Sequence, residues 1–266
     1  MLVLALSTSS PVLAGSQPRV IRLALVNIAD DIVRPLLPAF REKTGMTAEI
    51  VYMGSDPFSV AEAGEADLVI SHYGHPGVEP FVTQGRGKWP HPVFANQMAL
   101  FGPKDDPAQI RGMTNAADAL ARIAKTRSTF VVNASHGARY LESILWQNAG
   151  IDQFGEWHID RNTAGKAAME LATRQSAYVL WGFAPYLRFK QRSGTDLEPL
   201  VVGDPLFQRI MVSIVVNAEG NAAEDASAFE RYLLSPEAQS RIRAFRYPGF
   251  QQPMWWPAGR HNGRED

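Results

Sequence analysis

Short apolar runs alternate with helix-patterned segments along nearly the whole chain, and this alternation limits the fold more than any other feature. Residues 20–26 form a mostly apolar, strand-like run. Ile32, Val33, Leu36, Leu37 and Phe40 then recur at helical spacing, with Asp30 or Asp31 placed to cap that helix and Gly45 to end it. A second strand is expected over 47–53, a short helix over 60–63 and a buried strand over 66–71. Strand, helix, strand, helix, strand at this spacing predicts a parallel sheet with right-handed crossovers. Ligands of such sheets sit beyond the carboxyl ends of the strands. Here those ends are the loops at 26–29, 54–56 and 71–73.

The pattern continues downstream. Residues 94–101 read as a strand closing on Gly102-Pro103, 114–125 as an alanine-rich helix and 130–133 as a strand. Ser135-His136-Gly137 opens a helix over 138–148, and 165–174 is helical. A strand over 178–181 closes on Gly182-Phe183-Ala184-Pro185. Residues 208–216 form a strand returning to the first block, followed by helices over 229–234 and 236–245.

Composition removes several classes. The 266 residues suit one large or two compact domains. Lys and Arg number 26 against 27 Asp and Glu, so no basic excess exists to neutralise a phosphate backbone, and nucleic acid is not an expected partner. The chain has no cysteine, which excludes disulfides, thiol catalysis, Cys-ligated zinc and iron–sulfur clusters. Residues 1–18 carry no charge and run through Leu2-Val3-Leu4-Ala5-Leu6 to Val12-Leu13-Ala14-Gly15. That is the pattern of a signal peptide cleaved after Ala14, although the basic n-region is missing. Export to the periplasm without a lipid anchor follows, since no cysteine is available to carry one. No stretch reaches the ~18 apolar residues of a membrane span, so stable insertion is not expected. The tail at 258–266 is polar.

Scattered motifs then point to a family. Gly64-Glu65-Ala66-Asp67-Leu68-Val69-Ile70-Ser71-His72 resembles a strand of the periplasmic tungstate-binding proteins of ABC transporters. Gly102-Pro103-Lys104-Asp105-Asp106-Pro107-Ala108 is similar to that family's turn after the first crossover. Leu36-Leu37-Pro38-Ala39-Phe40, Lys43-Thr44-Gly45, Ala177-Tyr178-Val179-Leu180, Gly203-Asp204-Pro205-Leu206 and Ser235-Pro236-Glu237-Ala238-Gln239 follow in the same order, as does the closing segment from Gln251-Gln252 to Trp256-Pro257. The resemblance spans about residues 22–257. It implies a type II periplasmic-binding-protein fold of class α/β, two α/β lobes joined by two crossing strands. One lobe would be 19–94 plus 205–257 and the other 95–204.

The ligand loops depart from the family. Its Thr/Ser-rich first loop reads Leu25-Val26-Asn27-Ile28-Ala29 here, with one polar side chain. Its second-lobe loop becomes Val132-Asn133-Ala134-Ser135-His136-Gly137-Ala138-Arg139, and Phe183 stands where a later loop carries arginine. Oxyanion binding needs hydroxyls, helix N-termini and a cation aimed inward. Backbone amides at Ser55, His136 and Gly137 are left to form an anion nest, with Arg139 as a source of charge. Aromatic groups replace the rest: Tyr73, Trp157, Trp181 and Phe183, alongside His72, His75 and His136. Such walls suit an organic solute, and equally Trp181 and Phe183 read as core residues plugging a shrunken cleft. The ligand-binding candidates are therefore Asn27, Ser55, Asp56, His72, Tyr73, Ser135, His136, Gly137, Arg139, Trp181 and Phe183.

Enzyme signatures are missing. No Gly-x-Ser-x-Gly elbow, phosphate loop or His-Glu-x-x-His occurs, and Ser135-His136 are neighbours on a turn rather than a nucleophile and base presented across a site. His72-x-x-His75 lacks a third metal ligand nearby. The expectation is a monomeric, non-enzymatic binding protein without metal or cofactor. Its partners are a small-molecule or oxyanion ligand and an ABC permease, with hinge closure over the ligand. The rival is a sensor or accessory module with a remodelled aromatic cleft.

Overall fold

The computed structural model describes residues 20–249, 251 and 253–258. The leader expected over 1–18 and nearly all of the 258–266 tail lie outside the described residues. The chain runs β1 (Val20–Val26), α1 (Asp30–Val33), a 3-10 turn (Arg34–Leu36), α2 (Leu37–Thr44), β2 (Thr47–Gly54), α3 (Pro57–Glu62), β3 (Leu68–His72) and α4 (Val78–Thr83). It continues through β4 (His91–Gly102), α5 (Ala116–Thr126), β5 (Phe130–Val131), α6 (His136–Asn148), β6 (His158–Ile159), α7 (Lys166–Gln175), β7 (Tyr178–Gly182), α8 (Phe183–Ser193) and β8 (Glu198–Val201). A 3-10 turn at Pro205–Phe207, β9 (Gln208–Val215), α9 (Ala222–Leu233), α10 (Pro236–Ala244) and β10 (Trp256–Pro257) complete it.

Local chemistry explains where expectation and structure part. The helix expected from residue 30 is divided, because Pro35 and Pro38 each lack the N–H that a continuous helix requires. Gly45 ends α2 at φ 71°, the left-handed conformation that glycine adopts without strain. Helix α8 was not foreseen. Pro185 falls in its first turn, where no intrahelical donor is lost, so the segment that reads as the close of a strand is compatible with a helix start. Helix α6 begins at His136, two residues earlier than the spacing predicts, directly after Ser135 in extended geometry.

The strands form one ten-stranded sheet of order β2-β1-β3-β9-β4-β7-β5-β6, with β8 and β10 also pairing to β4. Parallel pairing holds at both flanks, β1 with β2 and β3, and β5 with β6 and β7. Through the middle it gives way to antiparallel pairing, because β9 runs against both β3 and β4. Strand β4 is shared: residues 91–97 pair with β9, and 98–101 pair with β7. The fold class is thus α/β, with helices flanking a mixed sheet.

Three apolar clusters hold the layers. Leu23, Phe40, Phe94, Phe229 and Trp255 belong to the largest, in which Phe94 meets Trp255 edge-on at 5.3 Å. Phe130, Leu145, Trp146 and Tyr178 anchor the cluster beside α5 and α6, and Phe58, Phe81, Val69 and Ile214 the one beside α3 and α4. Each fully buried large side chain contributes about 1.5–3 kcal/mol relative to exposure. This rigid packing fixes where the parallel strands end, and hence where their loops gather.

Candidate functional site

The carboxyl ends of β1, β2, β3 and β7 and the start of α6 converge on one cleft of about 360 Å³. Asn27 and Ile28 follow β1, Ser55 follows β2, His72 ends β3, and Trp181 and Gly182 end β7. Ser135, His136 and Gly137 enter from the α6 start, while Asn96, Gln97, Met98 and Arg209 come from the central strands β4 and β9.

Hydrogen bonds set the loop shapes. Asn133 is fully buried, and its Oδ1 accepts from the Ser135 amide (3.1 Å), the Ser135 hydroxyl (2.9 Å) and the Gly165 amide (2.9 Å). Its Nδ2 donates to the Leu180 carbonyl at 3.1 Å, so one amide ties the α6 loop to β7 and to the start of α7. At the start of α6 the Ala138 and Arg139 amides both donate to the Ser135 carbonyl at 2.9 Å, which leaves the amides of His136 and Gly137, two cleft-lining residues, ahead of the first helical bond. On the other side, His75 donates from Nε2 to the Ser55 carbonyl (2.9 Å) and accepts at Nδ1 from the Gly77 amide (3.0 Å). Both ring nitrogens are thereby engaged in loop architecture, which removes His75 from the His72-x-x-His75 metal pair considered from sequence.

Two groups define the electrostatics. The His72 ring accepts at Nε2 from Asn96 Nδ2 at 3.4 Å. Burial, reinforced by the charges of Arg209 and His75, pushes its pKa down to about 3, so it is a neutral imidazole at physiological pH. Arg209 donates from Nη1 to the Gly137 carbonyl at 2.9 Å and contacts Met98 Sδ at 3.7 Å. Burial alone lowers its pKa, and no carboxylate pairs with it among the described residues. A guanidinium remains charged even so and carries five N–H donors. The cleft therefore holds an unmatched positive charge whose Nε and Nη2 are without a protein acceptor among the described residues.

Of the residues singled out from sequence, Asn27, Ser55, His72, Ser135, His136, Gly137 and Trp181 line the cleft. Four do not. Asp56 caps α3, accepting from the Ser59 amide at 3.3 Å, and is exposed. Arg139 lies one turn along α6 and is held at the surface by Asp160 at 3.1 Å. Phe183 turns into the core at the α8 start, tilted against Phe101 at 5.8 Å and edge-on to Tyr186 at 5.9 Å. Tyr73 projects into solvent next to the cleft rather than within it. Trp157 lines a wider, open hollow beside α5 of about 940 Å³, away from the parallel strand ends. Nor do Asp30 and Asp31 cap α1 with their side chains; both bind Arg188 of α8 instead.

Arg209 was missed from sequence, along with Asn96, Gln97 and Met98. The signal for Arg209 is its being the lone charge in the run 208–216. Its relevance depends on the pairing of Arg209 with Asn96, which brings β9 against β4 across more than a hundred residues.

Comparison with known proteins places these features in context. Residues 26–247 match the family described as Bacterial extracellular solute-binding protein. The Tungstate-binding protein TupA of Peptoclostridium acidaminophilum is 30% identical over 230 residues, 84% of this chain and 79% of that protein. The tungstate-binding protein of Desulfovibrio alaskensis superposes with a TM-score of 0.75 at 24% identity, covering 90% of this chain and 98% of that one. A structure from Geobacter sulfurreducens described as a tungstate ABC transporter gives a TM-score of 0.70 at 26% identity, covering 85% and 98%.

Proposed function

Because the chain belongs to the bacterial extracellular solute-binding protein family, we propose that it captures a small anion in this cleft and delivers it to the permease of an ABC importer. The observation that carries the anion is Arg209: a half-buried guanidinium with no carboxylate partner among the described residues, beside the amide-bearing start of α6. Such a charge is costly until an anion completes it. The name of the tungstate-binding relative from Peptoclostridium acidaminophilum supports the same ligand charge. Asn27, Ser55, Ser135, His136 and neutral His72 supply polar contacts, and Trp181, Ile28 and Met98 the apolar wall.

The two ends of the sheet act as lobes, residues 19–94 plus 205–257 and residues 95–204, hinged on β4 and β9 and closing over the solute. The protein works as a periplasmic monomer and as a binder rather than an enzyme. In support, the Ser135 hydroxyl, next to His136 in the chain, donates to Asn133 Oδ1 at 2.9 Å rather than to an imidazole.

Calorimetry of the full chain tests this, with tungstate, molybdate, sulfate and organic carboxylates set against cationic and neutral solutes. At least one anion should bind, raising the melting temperature in the manner of about 2.7 kcal/mol at a hundredfold excess over Kd. Arg209→Gln should lower that affinity a hundredfold or more, about 2.7 kcal/mol. Binding only of neutral or cationic solutes, or anion binding unchanged in Arg209→Gln, rejects the reading.

A further inference from the structure

A second chamber of about 560 Å³ opens beside the cleft. Tyr73 after β3, Tyr140 and Ile144 along α6, and Leu206 and Ile210 around the start of β9 form its walls. Gly74, His136, Gly137 and Arg209 line both cavities, so the two spaces meet at the guanidinium.

The chamber is apolar and open to solvent. Tyr73 is 62% exposed, Tyr140 65%, Leu206 46% and Ile210 49%. Among the described residues these are four of eight large apolar side chains left exposed, and they gather on one surface contributed by three separate stretches of chain, the loop after β3, α6 and the 3-10 turn running into β9. Isolated exposed apolar groups need no explanation, but a contiguous set joined to a polar cavity marks a contact surface. No carboxylate lines the chamber. Charge is confined to the end where Arg209 stands.

That distribution selects an occupant. A compact tetrahedral oxyanion engages the guanidinium and leaves the apolar walls wet. An acid with an apolar body satisfies both: its carboxylate accepts from Nε and Nη2 of Arg209, the bidentate geometry guanidinium favours. Its aryl or alkyl portion then displaces water from the tyrosines and from Leu206 and Ile210. Tyr73, outside the cleft proper, acquires a place in this arrangement.

We propose that the ligand is a small organic carboxylate whose head pairs with Arg209 and whose apolar body lies in the chamber bounded by Tyr73, Tyr140, Ile144, Leu206 and Ile210. This rests on the anion reading given above and narrows it to a ligand class.

Titration calorimetry with acetate, benzoate, 3-phenylpropionate and tungstate on the full chain tests it. Affinity should rise at least tenfold from acetate to 3-phenylpropionate. In Tyr140→Ser/Leu206→Ser, whose substituted side chains are exposed, the melting temperature and acetate binding should be unchanged while that gain disappears. Arg209→Gln should weaken all three carboxylates. Aryl acids binding no better than acetate, or a gain that survives in the double variant, overturns the proposal. Tight tungstate binding without aryl-acid binding also overturns it and leaves the anion reading intact. Failure of every anion overturns both.

Discussion

Two arginines reach between the halves of the sheet, and they stand in opposite electrostatic conditions. Arg188, on α8, donates to Asp30 at 3.0 Å, to Asp31, and to the Asn27 carbonyl at 3.3 Å. Tyr247 donates its hydroxyl to the remaining oxygen of Asp31 and accepts from Trp255 Nε1 at 3.1 Å, so the cluster is closed on itself. Arg209, on β9, has a carbonyl and a thioether. Burial lowers the pKa of both side chains. At Arg188 the hydrogen bond and charges of Asp31 and Asp30 overcome that effect and the net shift is upward, whereas at Arg209 nothing opposes it. Under the proposed function the difference separates a structural tie from a receptor: matched charge holds chain segments together, and unmatched charge is free to take a ligand.

Removing each cation in turn separates the two roles. Arg209→Gln should lose anion affinity by a hundredfold or more with stability unchanged or raised, since it relieves an unpaired charge. Arg188→Met should do the reverse. It leaves two half-buried carboxylates facing each other and should cost about 1–3 kcal/mol in urea unfolding. Anion affinity should stay within about threefold, because of the lost contacts only the one to the Asn27 carbonyl reaches a cleft-lining residue. If Arg188→Met weakens anion binding as strongly as Arg209→Gln, the tie and the receptor are not separable.

A smaller perturbation reaches Arg209 without touching its charge. A Cβ placed on Gly137 would lie 2.5 Å from Nη1 and 2.7 Å from Nη2 of Arg209, too close for the guanidinium to stay where it is. The obstruction is the far end of a flexible side chain, so it swings away at little cost. Alanine also favours the helix by about 0.5–1 kcal/mol over glycine. Gly137→Ala should therefore weaken anion binding about tenfold while the melting temperature holds or rises. Loss of both together would mean that the glycine serves the fold rather than the guanidinium.

The contrast also explains what the sequence could and could not reveal. The strand ends at Asn27, Ser55 and His72 and the helix start at Ser135-His136-Gly137 follow from local periodicity, and all of them line the cleft. Arg209 does not, because its place depends on antiparallel register between strands far apart in the chain. Phe183 was misplaced for a related reason. Its position in the motif order puts it at a loop, but Gly182 is the N-cap of α8 and the first helical residue turns inward. Charge pairing hid the remainder: Arg139 reads as a source of ligand charge and the acids at 30 and 31 as helix caps until Asp160 and Arg188 are seen to occupy them. Partner choice across long sequence separations has no local signature.

The smallest expected effect tests whether the unmatched charge is felt locally. His72 is held neutral first by burial, then by the charges of Arg209 and His75, against the hydrogen bond from Asn96. Its pKa falls from 6.5 in an unperturbed chain to about 3 in the fold. Across that window the unfolded chain binds more protons, so this group makes stability decline as pH drops. From pH 7 to pH 6 the loss is about 0.7 kcal/mol, and His72→Gln should flatten that much of the profile. Ring-proton NMR reads the same group directly and should show a neutral His72 down to about pH 4. In Arg209→Gln its pKa should rise, since one depressing charge is gone; in Arg188→Met it should not move, because Arg188 is not among the groups acting on it. Equal movement in both variants would mean that the two cations share one field, and a His72 that titrates near 6.5 in the unmodified protein would contradict the burial of its ring.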